Sequence, residues 1–473
     1  FLVALDKYGL DVSNRKAEID FANTGYTLWA ANKTGRENLR YGIAPPESSH
    51  PEYSNNCDDI DYQIEADYSG IIAPGMHNVP IQLGEKFGRL MNYGDGLYGG
   101  QFVGSMYSAA YFEDDIEAII QTALQSIPPE SHYATCVRDV LSWYREDPDD
   151  WQKTWHKIEK KYHHSEEYQQ FAAQSGSWVP IDAKLNGAYI VLGLLYGKGN
   201  MDSTIVISMR GGKDSDCNPS NAAGVLATTI GYKNLPEKFK TALDENRKFS
   251  YSEYNFKDLM ELSEKFARAY VERNSGKIET DDSEEEVFLI PVTKAEPSPF
   301  QPSYNPGPYD PNNSYSGEEM AQIKAWSVHH FEPLFEQVGV NMEVRHCGKA
   351  VSPEIEKWNG KENVIATAPM SNERSVRMLV TEKNAIPEGK TAFLQFSAGH
   401  EDGRKWLLRV QKGRENIIDT KISKENSKNG WQNFKIDVSE FAGKENIGLT
   451  FFAENIEDEP SVNYWGDWKL VVE

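Results

Sequence analysis

Two aspartates separated by one residue are the side chains in this sequence best suited to chemistry. Asp214 and Asp216 lie in the stretch MRGGKDSDCNPSNAAG, after two glycines and before a proline. In an extended bend, residues i and i+2 project to the same side, so the two carboxylates can share one hard cation or bridge two. Two carboxylates are too few to hold a divalent ion alone, so further acids must come from elsewhere in the chain.

An EF-hand calcium loop is excluded by the residues that follow. Asp214, Asp216 and Asn218 match its first three ligand positions. Its sixth position requires glycine but is Pro219, and its twelfth requires glutamate but is Val225. Asn218 and Pro219 instead suit the N-cap and the first position of a helix rich in small residues. Two interpretations remain: half of a metal site, or an aspartate-rich turn that only caps this helix.

The composition excludes several classes of function. The net charge of −23 disfavours nucleic acid and anionic membranes as partners, because both repel a negative surface. No apolar run approaches the roughly 20 residues that cross a bilayer, so we expect no membrane span. The four cysteines lie far apart without CxxC spacing, which argues against a zinc ribbon and a disulfide scaffold.

The pattern of elements predicts two domains of different class. Residues 1–295 carry apolar residues at helical spacing, as in DDIEAIIQTALQSIPPES, and LNGAYIVLGLLYG is apolar enough for a buried central helix. Residues 296–335 are rich in proline and predict an extended linker. Residues 336–473 contain short segments rich in β-formers between turn signals. The predicted fold class is an all-α domain followed by an all-β jelly-roll sandwich.

The first residues form a short apolar pattern. In FLVALDKYGLD, Phe1, Leu2, Leu5 and Tyr8 fit one helical face, and Gly9 is a stop signal. The stretch lacks the charged flank of a signal peptide. We expect it to be the latter part of a helix that begins before Phe1.

Several segments, taken together, resemble the ADP-ribosylglycohydrolase family. GGKDSDCNPSNAAGVLATTIGY is similar to the family's C-terminal metal motif, in which an Asp-x-Asp turn leads into a small-residue helix. GAYIVLGLLYGKGNMDSTIVISMRGG is similar to the helix pair before it. IEADYSGIIAPG and NYGDGLYGGQFVGSMYSAAYF are similar to the substrate loops and the following helix of large secreted-type members. The resemblance covers roughly residues 1–250 and keeps the order of the motifs.

The resemblance implies an all-helical hydrolase acting at the anomeric carbon of an ADP-ribose unit, with one or two Mg²⁺ ions as cofactor. Asp214 and Asp216 map onto the metal ligands and are the expected catalytic residues. Magnesium would orient ribose hydroxyls and a water and help to stabilise an oxocarbenium-like transition state. The residues expected to contact the substrate are Glu65, Asp67, Ser69, Gly70, Asp95, Tyr98 and Gly99.

Two features depart from the family's pattern. Its other metal half is a Thr-Asp-Asp cluster at the start of an early helix, which we expect just upstream of Phe1. A threonine ligand often follows the second aspartate, and here that position is Cys217, a poor ligand for magnesium. A one-metal, altered-metal or metal-free site therefore stays open.

Other functions follow from the domain arrangement. A helical hydrolase joined by a proline-rich linker to a jelly roll is similar to extracellular polysaccharide-degrading proteins of gut-type bacteria, so a glycoside hydrolase acting on an extracellular glycan is the enzymatic alternative. Secretion, or a place in the periplasm or at the cell surface of a bacterium, is the expected location. A non-catalytic binding or structural protein, as among crystallin-like relatives, is the alternative of a different class. In the sandwich, which we expect to be carbohydrate-binding-like, Trp406, Trp465 and Trp468 either line a sugar platform or belong to the core, and we favour the core.

Overall fold

The computed structural model forms two compact units, Phe1–Ile323 and Lys324–Glu473. It describes residues 1–24, 26, 28–40, 42–165, 181–241, 244–249, 252–310, 312–323, 339–345, 354–368, 375–380, 382–413, 415–456 and 461–473. Within these residues, the first unit is helical apart from one hairpin, and the second consists of two antiparallel sheets. The predicted fold class is confirmed.

The described part of the first unit contains fifteen α-helices. In chain order they are α1 Leu2–Tyr8, α2 Asn14–Ala22, α3 Ala30–Arg40, α4 Asp61–Glu65, α5 Asp67–Ile71, α6 Asn78–Phe87, α7 Asp95–Ala109, α8 Ile116–Leu124, α9 His132–Glu146, α10 Trp151–Ile158, α11 Ala183–Gly197, α12 Met201–Gly211, α13 Cys217–Ile230, α14 Phe256–Arg273 and α15 Gly317–Gln322. Strands β1 (Lys277–Thr280) and β2 (Glu286–Leu289) form an antiparallel hairpin. Residues 281–285, most of them acidic, form its turn.

Local sequence signals account for several helix boundaries. Asp115 accepts a hydrogen bond from the backbone of Glu117 at the start of α8, and Ser131 does the same for Ala134 at the start of α9. Such caps satisfy backbone N–H groups that lack a partner inside the helix. Gly9, with a φ of 81°, ends α1 as predicted. That this helix begins before Phe1 stays a prediction.

Two fully buried helices form the centre of the first unit. All fifteen residues of α11 are buried, which confirms the prediction of a central helix in LNGAYIVLGLLYG. All fifteen residues of α7 are buried as well, and the two helices pack against each other. Small residues permit this packing: a Cβ atom on Gly99 would lie 3.4 Å from the Cβ of Ala183. Helices α4, α12 and α13 contact this pair, so α7 and α11 help to fix their positions.

The proline-rich segment packs on the helices as far as residue 323. Its residues have no regular strand structure up to α15, as the prolines predict, but 296–323 belong to the first unit. The Tyr98 hydroxyl donates to the carbonyl of Pro299 (2.8 Å) and accepts from the backbone N–H of Gln301 (2.7 Å). The remaining part of the predicted linker, 324–335, lies outside the described residues.

The second unit is a sandwich of two five-stranded antiparallel sheets. Its strands are β3 Met342–Arg345, β4 Glu354–Trp358, β5 Lys361–Thr367, β6 Val376–Val380, β7 Ala392–His400, β8 Trp406–Lys412, β9 Glu415–Ile422, β10 Trp431–Asp437, β11 Leu449–Asn455 and β12 Asn463–Val472. The sheet orders are β10-β7-β12-β5-β4 and β3-β6-β11-β8-β9. Trp406, Trp465 and Trp468 are buried between the sheets, so the favoured interpretation of them as core residues is confirmed.

Two negative expectations concern membranes and cysteines. Among the described residues, no helix is both long and apolar enough to cross a membrane. Cys57 and Cys136 are buried free thiols, and Cys217 is a half-buried one. Cys347 lies outside the described residues.

Candidate active site

The Asp-x-Asp bend joins the antiparallel helices α12 and α13. The indole of Trp155 donates to the carbonyl of Gly211, the last residue of α12, over 2.8 Å. Gly212 and Lys213 then adopt positive φ angles of 93° and 59°, which turns the chain. Because Lys213 holds a left-handed conformation without a glycine's freedom, this turn depends on the contacts that fix its ends.

The side chain of Asn186, on α11, forms hydrogen bonds that fix the bend in position. Its side-chain oxygen accepts from the backbone N–H of Asp214 (3.1 Å) and from the amide of Asn218 (2.8 Å). Its own amide donates to the carbonyl of Asp182 (2.9 Å). Asn186 and Asn218 are fully buried, so these hydrogen bonds are shielded from competing water. The central helix therefore sets the position of the bend.

The start of α13 differs from the sequence prediction. The helix begins at Cys217, whose backbone N–H donates to the side-chain oxygen of Asp214 (3.1 Å). Asn218 is inside the helix rather than at its N-cap, because its amide is engaged with Asn186. Pro219 is accordingly the third helical residue. The bend thus caps a helix and also presents two carboxylates, so the two interpretations of the sequence are compatible.

The side chains of the bend converge. One potential ligand atom each from Asp214, Asp216 and Cys217 lies within 4.8 Å of the others. Asp214 is half-buried and Asp216 is exposed. Burial, followed by the effect of Asp216, raises the pKa of Asp214. Burial and then Asp214 raise the pKa of Cys217 to about 12, so this thiol keeps its proton as long as no cation is bound.

A second acidic pair lies at the start of α4. The side chain of Asp59 accepts from the backbone N–H of Ala31 (3.0 Å), and that of Asp61 accepts from the backbone N–H of Asn32 (2.7 Å). Both donors belong to the first turn of α3, whose N–H groups carry partial positive charge. The N-terminus of α3 therefore orients the carboxylates of Asp59 and Asp61.

Asp61 is close enough to the bend for its charge to interact with Asp214. Burial is the main cause that raises the pKa of Asp61 to about 6, and repulsion from Asp214 adds to it. The charge of Asp61 also acts on Cys217. Burial, followed by repulsion from Asp61, raises the pKa of Asp59. The charge of Asp61 thus acts on Asp59 and on Asp214, at the place where α4 contacts α13.

From the sequence alone, we did not assign Asp59 and Asp61 as the partner acids of the bend. We expected the partner acids upstream of Phe1, whereas an acidic pair inside the chain lies beside Asp214. The signal was present as DDID directly before the helical residues YQIE. A further cluster upstream of Phe1 stays a prediction.

Backbone pairing brings the two acidic sets together. The N–H of Ile60 donates to the carbonyl of Ile181 (3.0 Å), and the N–H of Ala183 donates to that of Asp58 (3.0 Å). The start of α4 is thereby fixed to the start of α11, which also carries Asn186. Lys184, fully buried, forms an ion pair with Asp182 in the same place.

Two of the expected substrate residues lie near the acidic cluster. Glu65 accepts a hydrogen bond from the Asn32 amide (2.5 Å) and lines a cavity of about 370 Å³. Burial, followed by repulsion from Asp61, raises its pKa to about 8. Burial likewise raises the pKa of Asp67 to about 6, and its charge acts on the hydroxyl of Tyr107. Their contact with substrate stays a prediction.

Ser69 and Gly70, on α5, lie where this helix packs against α7. The hydroxyl of Ser69 donates to the carbonyl of Ala66 over 2.6 Å, and the residue is fully buried. A Cβ atom on Gly70 would collide with the carbonyl of Gly104 on α7. These residues let α5 and α7 approach closely, and a substrate contact for them stays a prediction.

Asp95, Tyr98 and Gly99 are also buried. The side chain of Asp95 accepts from the backbone N–H of Tyr133 (3.1 Å), and burial raises its pKa to about 6. Gly99 faces the ring of Tyr133, and Tyr98 binds the proline-rich segment. The structure therefore gives all three a role in positioning elements, and a substrate contact for them stays a prediction.

Lys213 points away from the aspartates beside it. Its ammonium lies 3.0 Å from the Nδ1 atom of His163 and 3.6 Å from the Oε2 atom of Glu159. Glu159, His163 and His164 form a second group with potential metal ligands. The charge of Lys213 already balances Glu159 there, so we assign no metal to this group.

Parts of this chain are similar to a known family and to a solved structure. The family model described as ADP-ribosylglycohydrolase matches residues 5–276. No curated protein matches the chain. A solved structure titled "CBM4 structure and function" is similar over 28% of this chain and 94% of its own, at 13% identity and a TM-score of 0.19. A TM-score of this size supports no conclusion about fold or function.

Proposed function

Because the chain belongs to the ADP-ribosylglycohydrolase family, we propose that its helical unit hydrolyses the glycosidic bond at the anomeric carbon of an ADP-ribosyl adduct. One observation carries the proposal: α4 contacts α13, and the charge of Asp61 at the start of α4 acts on Asp214 of the bend, although the two segments are distant in sequence. Grouped carboxylates that repel one another are stabilised by a bound cation. The cluster is therefore suited to hold a metal rather than merely to cap a helix.

The donor set fits magnesium. Asp214, Asp216 and Asp61 offer carboxylate oxygens, which are the ligands that hard cations prefer. The protonated thiol of Cys217 is left as a hydrogen-bond donor to Asp214. When bound, Mg²⁺ would supply polarisation of sugar hydroxyls and of a water. We propose one or two ions, held by these three aspartates together with Asp59.

The chain's own groups orient the ligands and hold a proton. Asn186 fixes the backbone of Asp214, and the first turn of α3 fixes Asp59 and Asp61. Glu65, with a pKa of about 8, keeps its proton at neutral pH and lines the neighbouring cavity. A protonated carboxyl is the group that glycoside hydrolysis requires to protonate a leaving oxygen or nitrogen. We assign this role to Glu65.

A substrate screen tests the proposal. ADP-ribosyl-arginine and a panel of aryl glycosides are incubated with the full chain, with Mg²⁺ or with EDTA. We expect Mg²⁺-dependent release of ADP-ribose, and a loss of about hundredfold or more in the Asp214→Asn, Asp216→Asn double variant. The matched control is Glu284→Gln, Glu285→Gln, which removes two exposed charges from the hairpin turn and leaves the activity unchanged.

Two outcomes contradict the proposal in different ways. Cleavage of aryl glycosides without turnover of the adduct assigns the chain to the glycan-degrading alternative. If calorimetry shows that neither Mg²⁺ nor ADP-ribose binds, and the aspartate double variant behaves as the parent does, the protein is a non-catalytic member.

A further inference from the structure

The sandwich unit contains a polar cavity at one end of the sheet β10-β7-β12-β5-β4. The turn between β4 and β5, the residues after β7 and the connection from β9 to β10 surround it, and its volume is about 810 Å³. This size lies within the range of small-molecule binding sites. The three buried tryptophans of the core are not part of its lining.

Aromatic rings form one wall of the cavity. The indole of Trp358 stacks on the ring of Tyr464, with centroids 3.9 Å apart and planes at 10°, and it meets Trp431 at 79°. These rings form an apolar cluster separate from the sandwich core. A Cβ atom on Gly399 would lie 2.8 Å from the Trp358 ring, so glycine allows the indole to lie directly on β7. The sheet thus presents a packed aromatic group outside the sandwich core.

His400 supplies a buried polar atom without a partner. Its side chain is 5% exposed and lines the cavity. Its Nδ1 atom lies 2.7 Å from the carbonyl oxygen of Glu401, which can only accept, so the ring proton is on Nδ1. The Nε2 atom is therefore a hydrogen-bond acceptor, and no group among the described residues donates to it. A buried acceptor in this state is satisfied by water or by a ligand that donates.

The rest of the lining is rich in donors and acceptors. The buried hydroxyl of Ser427 also has no partner among the described residues. Asp402 and Lys424 line the cavity with exposed side chains. Because Glu401 and Asp402 outnumber Lys424, the charge disfavours an anionic ligand.

We propose that this cavity binds a neutral saccharide. A sugar has an apolar C–H face that packs on an aromatic ring, and hydroxyl groups that donate and accept in several directions. The indole of Trp358 packs on the apolar face of the sugar, and the Nε2 atom of His400 accepts a hydrogen bond from one sugar hydroxyl. Ser427 and Asp402 form hydrogen bonds with other hydroxyls. The site lies within the second unit and does not depend on the activity of the helical unit.

Affinity electrophoresis tests the proposal on the full chain. The protein carries Asp214→Asn and Asp216→Asn, so that hydrolysis does not consume a ligand, and it migrates through gels containing β-glucan, xylan, mannan, galactan or amylose. We expect retardation by at least one of these neutral polysaccharides, and none by polygalacturonate. Trp358→Ala and, separately, Asp402→Ala should weaken the association constant by roughly tenfold or more.

Asp402→Ala is the decisive variant, because an exposed side chain can be removed without unfolding the sheet. Its matched control is Glu388→Ala, which removes an exposed carboxylate near the opposite end of β7 and should leave retardation unchanged. The proposal is overturned if no neutral polysaccharide retards the protein. It is overturned equally if Trp358→Ala and Asp402→Ala leave retardation as in the parent, since the binding surface would then lie elsewhere.

Discussion

Replacing Asn186 by alanine tests how the Asp-x-Asp bend is held in position. The Asn186 side chain accepts from the backbone of Asp214 and from the amide of Asn218, and it donates to Asp182. Alanine cannot replace any of these hydrogen bonds. We expect the bend to lose its fixed position relative to α11, so that both the stability of the protein and its affinity for magnesium fall.

The magnitude follows from the groups left without partners. A buried donor that loses its acceptor costs about 1–3 kcal/mol. Asn186→Ala removes the acceptor of the half-buried Asp214 N–H and of the buried Asn218 amide, which keeps only a 3.5 Å hydrogen bond to the Gly212 carbonyl, so the free energy of unfolding should fall by about 1–4 kcal/mol. Removing a group that orients a metal ligand typically lowers metal affinity about 10- to 100-fold. We expect a loss of that size for magnesium.

The assay combines urea unfolding with calorimetric titration of Mg²⁺. The matched control is Asn200→Ala, because the Asn200 side chain caps α12 by accepting from the backbone of Ser203 (2.9 Å) and does not contact the bend. Loss of a cap costs about 0.5–2 kcal/mol and should leave magnesium affinity unchanged. Equal behaviour of the two variants, with magnesium affinity within about twofold of the parent, would refute the role given to Asn186.

Three further predictions concern burial and charge. Lys184→Met should lower the free energy of unfolding by about 3–5 kcal/mol, because it leaves the buried carboxylate of Asp182 without its cationic partner; urea unfolding measures this loss. Glu65, whose pKa is raised to about 8, keeps a proton in the folded state that the unfolded chain releases. The free energy of unfolding of the metal-free protein should therefore fall as pH rises toward 8. Glu65→Gln should flatten this pH dependence, and an unchanged pH dependence counts against Glu65 as the protonated carboxyl. Gly224→Ala should destabilise α13 by about 1–3 kcal/mol, because its Cβ would collide with the hydroxyl of Tyr107; thermal unfolding should show partial rescue by Tyr107→Phe.

Much of the local structure was predictable because its causes are local. The bend with two carboxylates on one side follows from the spacing of Asp214 and Asp216, and the buried central helix follows from an unbroken apolar run. The change from helical spacing to short β-rich segments was enough for the fold class. The start of α13 was predicted two residues late, because Asp214 as well as Asn218 can accept from a backbone N–H there, and the contact with Asn186 engages Asn218 instead.

The identity of the partner acids required the tertiary structure. Asp61 approaches Asp214 only because α3, α4, α11 and α13 pack around one point, and no local pattern encodes that meeting. Tertiary structure also shows that Ser69 and Gly70, predicted to contact substrate, lie where α5 and α7 pack closely, and their contact with substrate stays a prediction.

The sequence alone determined what each segment prefers: two aspartates on a turn, small residues in the following helix, aromatic and β-branched residues in the second unit. Tertiary packing decided which of these side chains meet. It placed Trp406, Trp465 and Trp468 in the core, and left Trp358 beside an open cavity. The reason is physical: residue type sets the local conformation and the tendency to be buried, whereas the order of strands and the contacts between helices set which groups share a site.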